Sequence, residues 1–453
     1  MRSKLISSFI ILFSIFVSEK SVLASNDHTL LIRHANIVDI ANNRIRENQF
    51  VYIVGDKIQQ ISSTKPETSP DSKIIDGKGK YLMPGLIDMH VHVMQEADVY
   101  QLLRYGITTA RVMYGWPQTL EYRDKIQKGQ LLGPDLVVAS PIINQKSKYV
   151  SSFIHQFVES PNQARELVTE YAEQGYDLIK TYDGLQPEVF NEISKAAKEN
   201  SLPIAGHPSF YLSIDNYIAA KPQTIEHIEM LYQASLDYSR DASLLKKLAK
   251  KLAFHQIPVT TTLVVYDNLA RMAVEKQAFI DSLPVDYIHP FIKKHEQGSV
   301  EFITNLEKPQ EWRSKADYLG YMAKVLEQNN VPLVIGSDGG VGYTINGIST
   351  IDEMELLARY GLPIDSILRA ATITPAIALN KKNEVGVIDT GYKANLILLE
   401  SDPRKDLSVL RHPVAVIKSG VFIDQQKLIE LDTKSKQHMG WFNIYWNLLW
   451  GLN

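Results

Sequence analysis

His90 and His92 stand two residues apart, just after the apolar run 81–87, which predicts a buried strand. Side chains at positions i and i+2 of a strand point to the same face, so both imidazoles can reach one ion. Neutral imidazole is a common ligand of divalent metals. The pair therefore indicates a metal site, although a His-x-His motif alone is weak evidence, because such a pair can also close a partly exposed strand.

Four further residues with ionisable side chains stand at the ends of short apolar segments. These residues are Lys180, His207, His227 and Asp338. Segments with helical periodicity lie between them, at 161–174, 187–200 and 242–253. Alternation of strands and helices predicts a parallel sheet.

Eight candidate strands occur between residues 82 and 336. They lie near 82–87, 107–113, 135–140, 177–181, 202–206, 223–226, 257–263 and 331–336. Eight such units in about 300 residues predict an α/β fold of the (β/α)8 TIM-barrel type. Active sites of that fold lie at the carboxyl ends of the strands, where the candidate ligands stand.

Strand-like segments at both ends of the chain predict a second, smaller domain. These segments are 29–38, 46–62, 394–400 and 414–424. We expect a composite β-sandwich from residues 25–80 and 385–430, with the barrel occupying 81–384.

Composition excludes several classes of protein. The chain has 453 residues and a net charge of −3, so nothing suggests a nucleic-acid partner. It contains no cysteine, which excludes disulfides and thiol catalysis.

The N-terminus predicts a signal peptide over residues 1–24. Arg2 and Lys4 precede an apolar segment, 5–17, and small residues precede a cut after Ala24. The segment is shorter than the roughly 20 residues that span a bilayer. We expect a secreted or periplasmic protein, with an uncleaved anchor as the alternative.

Residues 431–453 form a C-terminal tail that becomes aromatic from 439 onward. Trp446 and Trp450 are four residues apart and would share a helix face. Packing against the barrel or against a second subunit is favoured, which leaves a homo-oligomer open. Membrane contact is the alternative, but the aromatic stretch lacks the basic residues of interfacial helices.

The segment Pro84-Gly-Leu-Ile-Asp-Met-His-Val-His92 and the order of the strand-end residues resemble the amidohydrolase superfamily. The resemblance covers about residues 30–424 and is strongest to the branch of Xaa-Pro dipeptidases (prolidases) and imidazolonepropionase-related proteins. The segments 368–379 and 386–399 match the ending of that family, where an aspartate commonly stands at the position of Asn395.

The resemblance implies a site with two divalent metal ions, most simply zinc. The implied metal ligands are His90, His92, Lys180, His207, His227 and Asp338. A plain ammonium at Lys180 would be repelled by two dications, whereas the N6-carboxylysine found in family members supplies two bridging oxygens. A metal-bridging hydroxide would attack the substrate carbonyl, and Asp338 would be the catalytic proton acceptor and donor. Asp88, in the same strand, is expected to support these ligands rather than to bind metal.

Candidate substrate contacts come from the loops beyond the strands. We name His155, Tyr182 and Tyr211, and note that Ser209 stands where dipeptidase relatives often have a tyrosine. An aromatic barrel mouth is expected from Tyr114, Trp116, Tyr149, Phe153, Phe157 and Tyr182. The insertion 265–315 is expected to form a lid or a specificity wall.

These features predict a metal-dependent hydrolase acting on a carbon–nitrogen bond, with a dipeptide or N-acyl amino acid as the small-molecule substrate. An esterase or lactonase on the same site is the alternative. Deaminases of the superfamily typically lack the strand-4 lysine and carry His-x-x-Glu, whereas Phe210 follows His207 by three residues. A catalytically silent binding protein is disfavoured because the ligand set is complete.

Overall fold

The computed structural model describes residues 28–146, 154–341 and 343–440. The strands are β1 Thr29–Asp39, β2 Arg44–Val54, β3 Lys57–Ser62, β4 Lys73–Asp76, β5 Tyr81–Pro84, β6 Leu86–Val91, β7 Ile107–Val112, β8 Asp135–Val138, β9 Ile142–Asn144, β10 His155–Phe157, β11 Ile179–Thr181, β12 Ile204–Gly206, β13 Thr224–Ile225, β14 Val259–Thr260, β15 Leu333–Val334, β16 Leu396–Leu399, β17 Ala415–Lys418 and β18 Val421–Ile423.

Helices follow most of the parallel strands. They are α1 Glu96–Arg104, α2 Pro117–Gln127, α3 Pro161–Glu173, α4 Pro187–Glu199, α5 Ile214–Ala219, α6 Ile228–Met230, α7 Ala242–His255, α8 Leu263–Glu275, α9 Gln277–Ser282, α10 Pro290–Thr304, α11 Pro309–Gln328, α12 Ile348–Arg359, α13 Ile364–Ala370, α14 Ile373–Ala378 and α15 Gln425–Lys434.

One sheet joins the two ends of the chain. Its strand order is β18-β17-β16-β5-β1-β2-β3, and β4 pairs with β1. Alternate residues of these strands, such as Ile32, Val51 and Leu398, form a separate apolar core. The N-terminal and C-terminal segments are therefore parts of one structural unit.

The remaining strands pair in parallel. They form two groups, β6-β7-β8 and β10-β9-β11-β12-β13-β14-β15. Isolated parallel bridges from Ala139 to Leu178 and from Val91 to Gly339 connect the two groups. The largest apolar cluster packs these strands against the surrounding helices. The predicted α/β class with a parallel sheet is confirmed.

The apolar segment 81–87, predicted as one strand, is divided in the structure. Residues 81–84 pair with β16 in the chain-end sheet, whereas β6 pairs with β7. Gly85 lies between them, and its amide donates to the carbonyl of Asn395 at 2.8 Å. A side chain here would lie 2.1 Å from Thr108 Oγ1, so glycine allows the chain to pass from one sheet to the other.

The insertion 265–315 is largely helical, because α8, α9, α10 and the start of α11 occupy it. Within the described ranges no helix is both long enough and apolar enough to cross a bilayer. The predicted signal peptide, the aromatic stretch from 441 onward, Tyr149 and Phe153 lie outside the described residues.

Candidate metal centre

Three predicted ligands meet where β6 and β15 end. Ligand atoms of His90, His92 and Asp338 lie within 4.8 Å of one another. Asp338 Oδ1 is 2.9 Å from His92 Nε2 and 3.3 Å from His90 Nε2. The backbone supports this approach, since the Asp338 amide donates to the His90 carbonyl at 2.8 Å.

The histidines that follow β12 and β13 adjoin this group. The ring centroids of His90 and His227 are 4.5 Å apart, and those of His207 and His227 are 4.7 Å apart. Thr262 Oγ1 lies 2.7 Å from His227 Nδ1, which leaves Nε2 as the ring nitrogen available to an ion. The structure therefore brings together the four predicted histidines and the aspartate.

Three residues at these strand ends adopt left-handed backbone conformations. The φ angles are +64° at His227, +50° at Thr262 and +52° at Asp338. Such conformations cost of order 1–3 kcal/mol each in non-glycine residues and are concentrated at functional sites. They turn the chain sharply where the ligands meet.

Lys180 is held in the same place by β11. Its side chain is only 2% exposed, and Nζ has no hydrogen-bond partner among the described residues. Burial lowers the pKa of this amine to about 8, against the opposing charges of Glu226 and Asp338. A lysine that is buried without an acceptor is costly in a purely structural role.

Two buried charges behind His90 were missed by sequence reasoning. Glu226 Oε2 is 2.7 Å from His90 Nδ1, and Glu226 Oε1 is 2.7 Å from Arg111. Burial opposes ionisation of Glu226, but Arg111 and His90 hold its pKa well below the ordinary value. The carboxylate therefore accepts from His90 Nδ1, which directs Nε2 toward Asp338.

A sequence signal exists for Arg111 alone, and it does not identify the partner. Arg111 lies inside the apolar strand β7, and a buried charge requires a partner. Arg111 also donates to the Met89 carbonyl at 2.8 Å and to Thr224 Oγ1 at 2.8 Å, so it ties β6 to β13.

Asp88 is a fully buried carboxylate of β6. It accepts from the amides of His90 at 3.0 Å and Ser337 at 3.2 Å, and from Thr350 Oγ1 at 2.6 Å. Burial raises its pKa to about 6. It connects the first and last strands of the parallel set beneath the site.

The electrostatics around Asp338 keep its carboxylate ionised. Burial would raise its pKa, but His90, His92 and His227 lower it well below the ordinary value. Conversely, burial and the nearby Lys180 lower the pKa of His90 to about 3. The group is therefore an ionised carboxylate beside a neutral imidazole, which is the protonation state that metal binding requires.

Two of the three predicted substrate contacts adjoin the ligands. Tyr182 stacks on His207 with centroids 4.0 Å apart, and His155 lies 4.6 Å from the Tyr182 ring. His155 Nδ1 is buried without a hydrogen bond among the described residues. Tyr211 is 46% exposed, and within the described ranges no ring contact or ion pair connects it with the histidines.

An apolar cluster extends from Tyr182 to the insertion. Tyr114 and Trp116 form its buried part, and Phe291 of α10 and Met439 pack against it. His289 Nε2 donates to the Met439 carbonyl at 2.7 Å, so the segment after α15 lies against the insertion. Aromatic residues thus lie beside the ligand group, as the sequence indicated.

The donor set fits divalent metal. Imidazole nitrogens and a carboxylate are ligands of zinc and related ions. His207 Nδ1 is buried without a hydrogen bond in the described structure, and Asp183 Oδ2 is 3.9 Å away. Such an atom retains a lone pair that a cation would satisfy. The group His90, His92 and Asp338 could therefore bind a metal ion.

A parallel α/β fold with such a ligand group at the strand ends defines a metal-dependent hydrolase. The chain belongs to the Amidohydrolase family, whose sequence model matches residues 81–423. The predictions of that superfamily and of a metal-dependent hydrolase acting on carbon–nitrogen bonds are confirmed.

Known proteins similar to this chain differ in their reactions. One is the 5-methylthioadenosine/S-adenosylhomocysteine deaminase of Caldanaerobacter subterraneus subsp. tengcongensis, 21% identical over 89% of this chain and 95% of the relative. Imidazolonepropionase of Vibrio vulnificus is 21% identical over 74% of this chain and 82% of its own length.

A solved structure with the same fold is a Xaa-Pro dipeptidase with methionine bound in the active site. It is 20% identical, covers 87% of this chain and 100% of that chain, and has a TM-score of 0.68. The proteins similar to this chain thus include members of the predicted branch as well as a deaminase, and the likeness between the structures shows a shared fold.

Proposed function

We propose that this protein is an exported, binuclear metal-dependent amidohydrolase that cleaves an amide bond in a dipeptide or N-acyl amino acid. The observation that carries the proposal is the convergence of five predicted ligands near a buried lysine whose Nζ has no hydrogen-bond partner among the described residues. Export rests on the N-terminal sequence alone.

We infer that the site lies in the mouth of a closed (β/α)8 barrel. The bridges at Ala139–Leu178 and Val91–Gly339 support closure, because they connect the two parallel groups at both of their edges. The sheet built from both chain ends would form the predicted β-sandwich beneath the barrel.

His90, His92 and Asp338 would hold one ion, and His207 and His227 a second. Lys180 would bridge them after its amine adds carbon dioxide, forming a carbamate and releasing one proton. Bound there, two divalent ions, zinc by preference, would lower the pKa of a shared water toward about 7 and polarise a carbonyl.

Asp338 is positioned to move the proton. Its carboxylate is ionised and lies within hydrogen-bond distance of His92, so it can accept a proton at an oxygen and transfer it to the leaving nitrogen. That transfer matters for amides because an amine leaves poorly without a proton.

His155 is the better supported of the outer candidates. Burial and then the charge of Lys180 lower its pKa to about 4, so the imidazole is neutral. A neutral ring can donate one N–H to a substrate oxygen without placing another charge beside the metals. Tyr182 would hold His207 by stacking, whereas the exposed Tyr211 stays a prediction.

Deamination, the reaction in the name of one relative, fits the site less well. Phe210, which stands where the deaminase pattern has glutamate, is 41% exposed on the turn after β12. These deaminases also typically lack a lysine at the position of Lys180.

The test is a substrate panel on metal-loaded protein. It includes hydrophobic Xaa-Pro dipeptides, N-acyl amino acids, aryl esters, lactones and adenosine derivatives. We expect turnover of dipeptides or N-acyl amino acids. Rapid turnover of esters or lactones with silent amides would establish the esterase alternative, and ammonia release from adenosines would establish a deaminase.

A further inference from the structure

A lysine at the mouth of the barrel has no part in the chemistry described above. Lys315, on α11, places Nζ 2.5 Å from Glu229 Oε1. Nζ also lies 5.0 Å from the ring centre of Tyr266 and 5.7 Å from that of Trp312. Its side chain is 24% exposed, whereas that of Glu229 is 4% exposed.

This ion pair adjoins the candidate metal centre. Glu229 follows His227 by two residues, on the short helix α6 that begins directly after β13. Tyr266, on α8, hydrogen-bonds Glu229 and is close enough to Asp338 to interact with its charge. The pKa of Tyr266 is raised well above its ordinary value, first by burial and then by the carboxylates of Glu229 and Asp338.

Lys315 retains binding capacity. An ammonium has three N–H donors, and Glu229 is its one hydrogen-bond acceptor among the described residues. The other donors lie against aromatic faces, which attract a cation but do not replace an oxygen acceptor. Because the Lys315 side chain is 24% exposed, an anionic group can reach it.

We propose that Lys315 binds the carboxylate of the substrate and so selects amides that carry a free acid beside the scissile bond. The inference rests on the proposed function, and it assigns a residue to the carboxylate that dipeptides and N-acyl amino acids share. Glu229 holds the ammonium in place and competes with the substrate carboxylate for it.

Two ligands that differ in one charge test this inference: N-acetyl-leucine and N-acetyl-leucinamide. Binding to metal-loaded protein is measured by calorimetry, and release of the leaving amine is measured separately. A charge-assisted hydrogen bond supports a preference for the acid of roughly 10- to 100-fold.

Two variants and one control isolate the contribution of Lys315 to ligand binding. Glu229→Gln/Lys315→Gln removes both charges together, so no unpaired buried charge remains, and it should abolish the preference for the acid. Glu229→Gln alone should increase that preference by removing the competing anion. Lys308→Gln, which alters an exposed lysine paired with Glu311 at 3.2 Å, is the matched control and should change nothing.

Equal affinity of the wild type for both ligands, binding of neither, or a preference that survives in the double variant would overturn the inference. If Lys315 had a purely structural role, the double variant would lose affinity for both ligands alike. Preference for the acid without any amide hydrolysis would support Lys315 as the carboxylate site and refute the proposed function. Amide hydrolysis without a preference for the acid would support the proposed function and refute Lys315 as the carboxylate site.

Discussion

Replacing Glu226 by glutamine should weaken both the fold and the metal centre. The carboxylate bonds His90 Nδ1 at 2.7 Å and Arg111 at 2.7 Å, and both partners are buried. Glu226→Gln leaves the Arg111 guanidinium without its anion, and breaking a buried pair typically costs about 3–5 kcal/mol. Domains are commonly stable by only about 5–15 kcal/mol, so the loss should be conspicuous.

The same change should lower metal affinity by roughly 10- to 100-fold, because the carboxylate that orients His90 is lost. Urea denaturation of chelated protein measures the first effect, and competition with a chelating dye measures the second. Glu430→Gln breaks an exposed pair with Lys427 and should change neither quantity.

The double variant Glu226→Gln/Arg111→Met separates the two effects. It removes the unpaired guanidinium, so stability should recover in part while metal affinity stays low. Wild-type stability and metal affinity in Glu226→Gln would refute the assigned role. Recovery of both quantities in the double variant would show that Glu226 acts on the fold alone.

Three further changes have defined outcomes. Lys180→Met should stabilise the metal-free, carbon-dioxide-depleted protein at pH 7 by about 3 kcal/mol, since each pKa unit is worth about 1.4 kcal/mol and burial lowers the amine from 10.5 to about 8. In urea titrations the gain in stability should be complete below pH 8 and vanish above pH 10.5. The variant should have no activity. A variant less stable than the wild type at pH 7 would contradict this prediction. Asp338→Asn should retain metal but lose roughly 10²- to 10⁴-fold in turnover, and near-normal turnover would assign the proton transfer elsewhere. Asn395→Asp should lower the melting temperature, because Asn395 Nδ2 donates to Asp135 Oδ2 at 3.2 Å and two carboxylates would then face each other; the swap Asp135→Asn/Asn395→Asp should restore it.

The convergence of the candidate ligands could be predicted from the sequence because parallel strands deliver their carboxyl ends to one edge. His90, Lys180, His207, His227 and Asp338 each follow a short apolar segment, and local sequence suffices to recognise that. The type of each element was equally accessible, since strand and helix periodicities differ.

The supporting charges could not be predicted in the same way. Arg111 and Glu226 are 115 residues apart, and one sequence contains no signal that joins them. The division of 81–87 at Gly85 was missed because it depends on the close approach of Thr108, a contact between separate strands.

Asn395 stands where the family commonly has an aspartate, and its contacts in the structure give a physical reason for this difference. Lys418 bonds Asp135 Oδ1 at 2.8 Å, and Asn395 satisfies the other oxygen. An aspartate at 395 would add a second negative charge to this contact between β8 and the chain-end sheet. The Asn395 amide therefore donates to Asp135 where a carboxylate would repel it.

The proposed binuclear centre, with Lys180 as a carbamate ligand, is tested most directly by counting metal ions in active, undialysed protein. Elemental analysis, with the wild type compared against Lys180→Ala, should give about two divalent ions per chain in the wild type and fewer in the variant. One ion or fewer in fully active wild-type protein, or two ions retained in active Lys180→Ala, would contradict the proposed centre.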